Sequence, residues 1–190
     1  YNGIEVEMNP RRALQWFRKV AACGHRHAQC NIGWGYLLGV GIQEDPTEAI
    51  RWFRLATVQG SVVATLYLAR CLENGIGTEM NPRGCFLLYH NMREKHSEAM
   101  YNLGRCYEYG IGVEEDPVQA AHWYGLAAER QHISALQSMA RCYRRGIGVE
   151  RDELRARELL LELSTQVRSE HTRVSDLFSG SWSLQSEQKL

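Results

Sequence analysis

The four prolines of this 190-residue chain stand at positions 10, 46, 82 and 117, so one mark returns every 35 or 36 residues. A further step lands on Glu153, which follows Asp152 just as each proline follows an Asn or Asp. Glycines recur in phase at 3, 39, 75, 110 and 146, and alanines at 28, 64, 99 and 135. Three separate markers held in step over five registers leave few folds open. The chain must be an array of similar units, each burying its apolar face against its neighbours.

Each unit reads as two helices. In AMYNLGRCYEYGIGVEEDPVQAAHWYGLAAERQ (99–131), a first helix, A, is predicted from about Ala99 to Tyr109. Ala99, Leu103 and Tyr107 fall at i, i+4 spacing on one apolar face. Gly110 suits the left-handed position that ends a helix. Asp116 and Pro117 then start the second helix, B, because Asp caps free N–H groups and proline at the first position gives up no hydrogen bond. Ala120, Trp123, Tyr124, Ala127 and Ala128 follow. The layout repeats at 9–22 and 45–57, and more loosely at 81–94, where Leu88 and Tyr89 replace the Trp-Phe pair.

The stretch YNLGRCYEYGIGVEEDPVQAAHWYGLAA (101–128) closely resembles the Sel1-like repeat, a relative of the tetratricopeptide repeat, and the resemblance covers roughly residues 1–165. It implies an all-α fold, an α-solenoid of antiparallel helix pairs. We assign residues 1–166 to it, with a partial first repeat and four A and five B helices in all. Residues 167–190 are assigned to a short capping helix and a polar tail, whose last four residues, EQKL, match the start of a common epitope tag. The resemblance further implies a non-catalytic scaffold or adaptor that binds a partner peptide or helix on a concave face. Two alternatives stand beside it: an enzyme or small-molecule binder resembling cysteine-rich bacterial Sel1-like proteins, and a module that assembles through its ends.

Composition narrows the partners. Lys plus Arg and Asp plus Glu both number 22, so no global field favours nucleic acid or an anionic membrane. No run of 18 apolar residues occurs, so no membrane insertion is expected. The first helix B, with Trp16 and Phe17, has no helix A before it, which predicts either self-association through that end or a need for upstream sequence.

CGHRHAQC (23–30) has the residue types of a zinc site. However, the position of His25 also holds His96 and His132 in other repeats, without cysteines beside them, which marks a turn rather than a ligand set. We expect neither metal nor cofactor, and rank a Cys23–Cys30 disulfide somewhat above a metal. Cys71, Cys106 and Cys142 share one position, filled earlier by Gly35, as small packing residues do. Structural thiols and the lack of an Asn-X-Ser/Thr sequon point to cytoplasm or nucleus. No set of residues departs from the repeat as a catalytic constellation would.

In related repeats the A helices line the binding groove. The resemblance then places Trp34, Arg70, Arg105 and Arg141 in one groove-facing ladder. Leu66, Tyr101 and Gln137 stand beside it, and Asn31 and Asn102 occupy the position of a clamp asparagine. Arginine binds carboxylates through two parallel bonds, so an acidic partner is expected. The competing reading is a solvated face on which Arg70 pairs with Glu73, and Arg105 with Glu108, at i, i+3. On the groove reading, Arg105→Glu is expected to weaken binding and spare the fold.

Overall fold

The computed structural model describes residues 9–165. Among them it contains nine helices and no strand. They are α1 (Pro10–Ala22), α2 (Arg26–Leu38), α3 (Pro46–Val58), α4 (Val62–Asn74), α5 (Pro82–Met92), α6 (Ser97–Tyr109), α7 (Pro117–Glu129) and α8 (Ile133–Arg145), followed by α9 over 153–165. The all-α repeat fold expected from the period is the fold observed. The capping helix and tail expected over 167–190 lie outside the described residues. The chain divides into two compact units, one ending at Glu115 and one beginning at Asp116.

The helix starts follow from local chemistry. Asn9, Asp45, Asn81 and Asp116 each accept a backbone N–H of the first turn, and a proline follows at the first helical position. Asp152 does the same for Arg155 N–H at 2.9 Å. The A helices α2, α4, α6 and α8 end at Gly39, Gly75, Gly110 and Gly146, all left-handed. The next N–H reaches back to the carbonyl of residue 35, 71, 106 or 142, a six-residue closure that satisfies an orphan acceptor. The position that alternates Gly and Cys therefore anchors each helix end as well as packing.

In the first unit, sequential helices pack on one another from α1 to α6. The core alternates a B-helix aromatic with a small A-helix residue. Phe53 of α3 is wholly buried, and its ring lies so close under Gly33 of α2 that a Cβ there would come within 2.7 Å of it. Trp52 packs back on Ala21, Ala28 and Ile32. In the second unit Tyr124, Ala127 and Leu136 are buried between α7 and α8.

The connection from A to B explains its second glycine. Gly112, at φ +73°, lies against the first turn of α5, where a Cβ would run into the Pro82 carbonyl. Gly41, Gly77 and Gly148 meet Pro10, Pro46 and Pro117 in the same way. Each connection thus clasps the start of the B helix one repeat earlier. The third repeat departs from the others: α5 has 11 residues where every other helix from α1 to α8 has 13.

Candidate functional site

Within the first unit, the positions predicted to form one ladder lie in two places. Leu66 and Arg70 of α4 and Tyr101, Asn102 and Arg105 of α6 line one groove of about 440 Å³, together with Val63, Tyr67, Tyr89 and Glu98. Asn31 and Trp34 line a separate, largely apolar groove of about 330 Å³ with Leu14, Phe17 and Leu38. Trp34 reaches toward the first groove through an edge-to-face contact with Tyr67, centroids 4.6 Å apart. Gln137, exposed, and Arg141, half-buried, belong to α8 in the second unit.

The charges of the first groove differ from the i, i+3 pairs read off the sequence. Glu73 of α4 is held by Arg105 of the next A helix, with Arg105 Nη2 donating to Glu73 Oε1 at 2.9 Å. Arg105 Nη1 donates to Asn102 Oδ1 at 3.2 Å, and Asn102 Nδ2 donates to the Glu98 carbonyl at 2.8 Å. Burial opposes the Arg105 charge, but the bond to Glu73 and its charge outweigh this and raise the Arg105 pKa. Asn102 is accordingly buried inside this network rather than presented at the surface. Arg70 is exposed, and among the described residues it makes no ion pair within 4 Å. Leu66, Tyr67 and Tyr101 flank it, half-buried.

Two residues that shape this groove were not among the predicted ones. Glu73 is the first. Tyr89 of α5 is the second: it is wholly buried, and its hydroxyl has no hydrogen-bond partner among the described residues. Burial, followed by neighbouring Cys85 and Glu73, pushes its phenol pKa up. The visible signal was a Tyr at the position that holds Phe17 and Phe53 in earlier repeats and Tyr124 in the next. Cys85 and Cys106 lie close by, and the neighbouring Cys85 thiol together with burial pushes the Cys106 thiol up.

The two cysteines of CGHRHAQC stay separate. Cys23 is exposed and Cys30 buried, and both are free thiols. A larger groove of about 500 Å³ runs past Thr57, Thr65, Leu88, Met92 and His96. Its threonines are satisfied, since Thr65 Oγ1 donates to the Ser61 carbonyl at 2.8 Å.

Paired helices at a constant period, joined by clasped glycine connections and carrying grooves between successive A helices, define a helical-repeat protein of the tetratricopeptide-like class. Within that class the chain belongs to the Sel1 repeat family, whose profile matches residues 1–25, 26–61, 62–91, 97–132 and 133–166. The gap at 92–96 coincides with the shortened end of α5. The chain is similar to a Sel1 repeat protein from Oxalobacter formigenes, with 32% identity and a TM-score of 0.80 over 86% of this chain and 68% of that one. It is also similar to a protective antigen of uropathogenic Escherichia coli strains displaying an SLR fold, with 29% identity and a TM-score of 0.79. That match covers 87% of this chain but 36% of the antigen, so the chain spans about a third of that relative. No curated protein matches the chain. Sel1 repeat proteins generally act as protein-interaction scaffolds and are typically non-catalytic. No helix among the described residues is long and apolar enough to cross a membrane.

Proposed function

We propose that this chain is a non-catalytic scaffold that holds an extended, acidic segment of a protein partner along α4 and α6 of the first unit. The observation that carries this reading is Arg70. Among the described residues it is an unpaired guanidinium on the rim of the groove, flanked by Leu66, Tyr67 and Tyr101. Arginine beside aromatic and aliphatic surface is the composition of an interface anchor. The repeat register, rather than an uncommitted charge, gives the α8 residues Gln137 and Arg141 a partner-contacting role in their own unit.

The test separates two arginines. Arg105→Glu would set a second carboxylate beside Glu73, whose side chain is only 14% exposed. Breaking such a pair costs roughly 2–4 kcal/mol, somewhat below the fully buried case because Arg105 stays 31% exposed. The variant is therefore expected to melt early, and its fold is not spared. Arg70→Glu is the clean variant. On an array of immobilised peptides of graded charge, the wild type is expected to select acidic sequences. Arg70→Glu should weaken that selection roughly tenfold, the worth of one charge-assisted hydrogen bond, with the melting temperature unchanged. Selection of basic or neutral peptides, or indifference to Arg70→Glu, would count against the reading.

A second reading, self-association, rests on α1. Trp16 is 65% exposed, and Leu14 and Phe17 of the same helix line the apolar groove. Burying such an aromatic contributes about 1.5–3 kcal/mol. Sedimentation should show a concentration-dependent dimer that Trp16→Glu abolishes; a monomer at every concentration would refute it.

A further inference from the structure

We infer that the groove between α4 and α6 is a receptor for a single carboxylate, supplied by an Asp or Glu side chain or a C-terminus of the bound partner, which accepts hydrogen bonds from Tyr89 and Arg70. This rests on the scaffold reading above and specifies what the partner must present.

The case begins with a hydroxyl that packing does not need. Phe17 and Phe53 fill the same position of earlier repeats and Tyr124 fills it in the next; Phe53 is wholly buried there without a hydroxyl. Adding an oxygen at Tyr89 without a partner sacrifices stability, because a buried hydroxyl loses its hydrogen bonds to water. Buried polar groups are normally satisfied, so an orphan that lines a groove asks for an acceptor from outside.

The other polar atoms of the site show which acceptor fits. Arg105 spends one terminal nitrogen on Glu73 and the other on Asn102. Asn102 spends its amide on the Glu98 carbonyl. The donors that remain include the Tyr89 hydroxyl and the Arg70 guanidinium, with the Tyr67 hydroxyl in the wall beside them. Two donors, one of them cationic, match the two oxygens of a carboxylate, and Arg is the side chain best shaped for that group. A phosphate fits less well. Glu98 lines the groove and Glu73 lies beside Tyr89, so a dianion would meet two carboxylates against one uncommitted cation. Val63, Leu66, Tyr67 and Tyr101 supply apolar walls for the carbon stem that carries the carboxylate. A volume of about 440 Å³ suits one residue with its flanking backbone. The hydroxyl lies beneath the groove surface, so the side chains above it part as the acceptor enters.

Three capped peptides test this by NMR titration of the whole chain. Acetyl-Ala-Leu-Ala-Glu-amide carries a side-chain carboxylate, acetyl-Ala-Leu-Ala-Gln with a free C-terminus carries a terminal one, and acetyl-Ala-Leu-Ala-Gln-amide carries none. At least one carboxylate peptide should give saturable shifts centred on α4 and α6, with the neutral peptide at least tenfold weaker. Whichever carboxylate peptide binds more tightly identifies the source. Tyr89→Phe should erase most of that preference while holding or raising the melting temperature, and Arg70→Gln should erase it without touching the core. Equal binding of all three peptides overturns this inference and leaves the scaffold reading standing. Saturable binding by none of them overturns it too, and the peptide array then decides the scaffold reading separately. Retention of the full preference in both variants would show that the carboxylate sits elsewhere.

Discussion

Gly112→Ala is expected to destabilise the first unit by about 2–5 kcal/mol. The residue holds φ at +73°, a region that costs an L-residue about 1–2 kcal/mol. The added Cβ would also meet the Pro82 carbonyl and come within 2.7 Å of the Arg83 nitrogen. These are backbone atoms at the start of α5 and cannot swing aside, so overpacking adds a further 1–3 kcal/mol or so. Gly125→Ala is the matched control. It lies inside α7, and a Cβ there meets nothing within 4 Å. Alanine should stabilise that helix by about 0.5–1 kcal/mol. Thermal melts of the two variants should move in opposite directions. If both shifts were small and alike, the A-to-B connection would not be clasping the preceding helix.

Phe53→Ala is expected to remove about 3–5 kcal/mol. The side chain has no exposed surface, and its ring stacks on Tyr67 at 5.7 Å between centroids. Gly33 lies over the other part of the ring, so no larger neighbour stands ready to fill the space. A loss of this size is a large share of the 5–15 kcal/mol typical of a domain. Urea unfolding followed by near-ultraviolet circular dichroism measures it. A loss below about 1 kcal/mol would place the weight of the core elsewhere.

Much of the architecture could be read from the chain because its signals are local. A proline after an Asp or Asn starts a helix through atoms three residues apart, and a left-handed glycine ends one through atoms five apart. Such marks survive translation into sequence, and the period multiplies them. The shortening of α5 was hinted at by the loose match at 81–94, although its extent depends on how the Arg93–Lys95 turn closes.

The groove was less legible. A single helix offers Arg105 the i+3 partner Glu108, whereas the structure pairs it with Glu73, 32 residues earlier on the preceding A helix. That choice depends on how far two helices are offset along their axes, which no spacing within one helix encodes. Asn102 illustrates the same limit: its position resembled an open clamp, yet Arg105 and the Glu98 carbonyl take up its amide. The Tyr at position 89 was visible at a place that holds Phe17 and Phe53 in earlier repeats and Tyr124 in the next. What could not be seen was that its oxygen would be left without an acceptor, since that depends on three helices at once.

The clasped connections also bear on how long such a chain can grow. Gly41, Gly77, Gly112 and Gly148 reach back to prolines 31, 31, 30 and 31 residues earlier. Each closure ties off a segment of nearly constant size, so its entropic penalty, which rises only with the logarithm of that size, is nearly the same at every step. Adding a repeat lengthens the protein without lengthening any span that must be closed. Folding can therefore spread from neighbour to neighbour, and nothing in the topology itself sets an upper number of repeats.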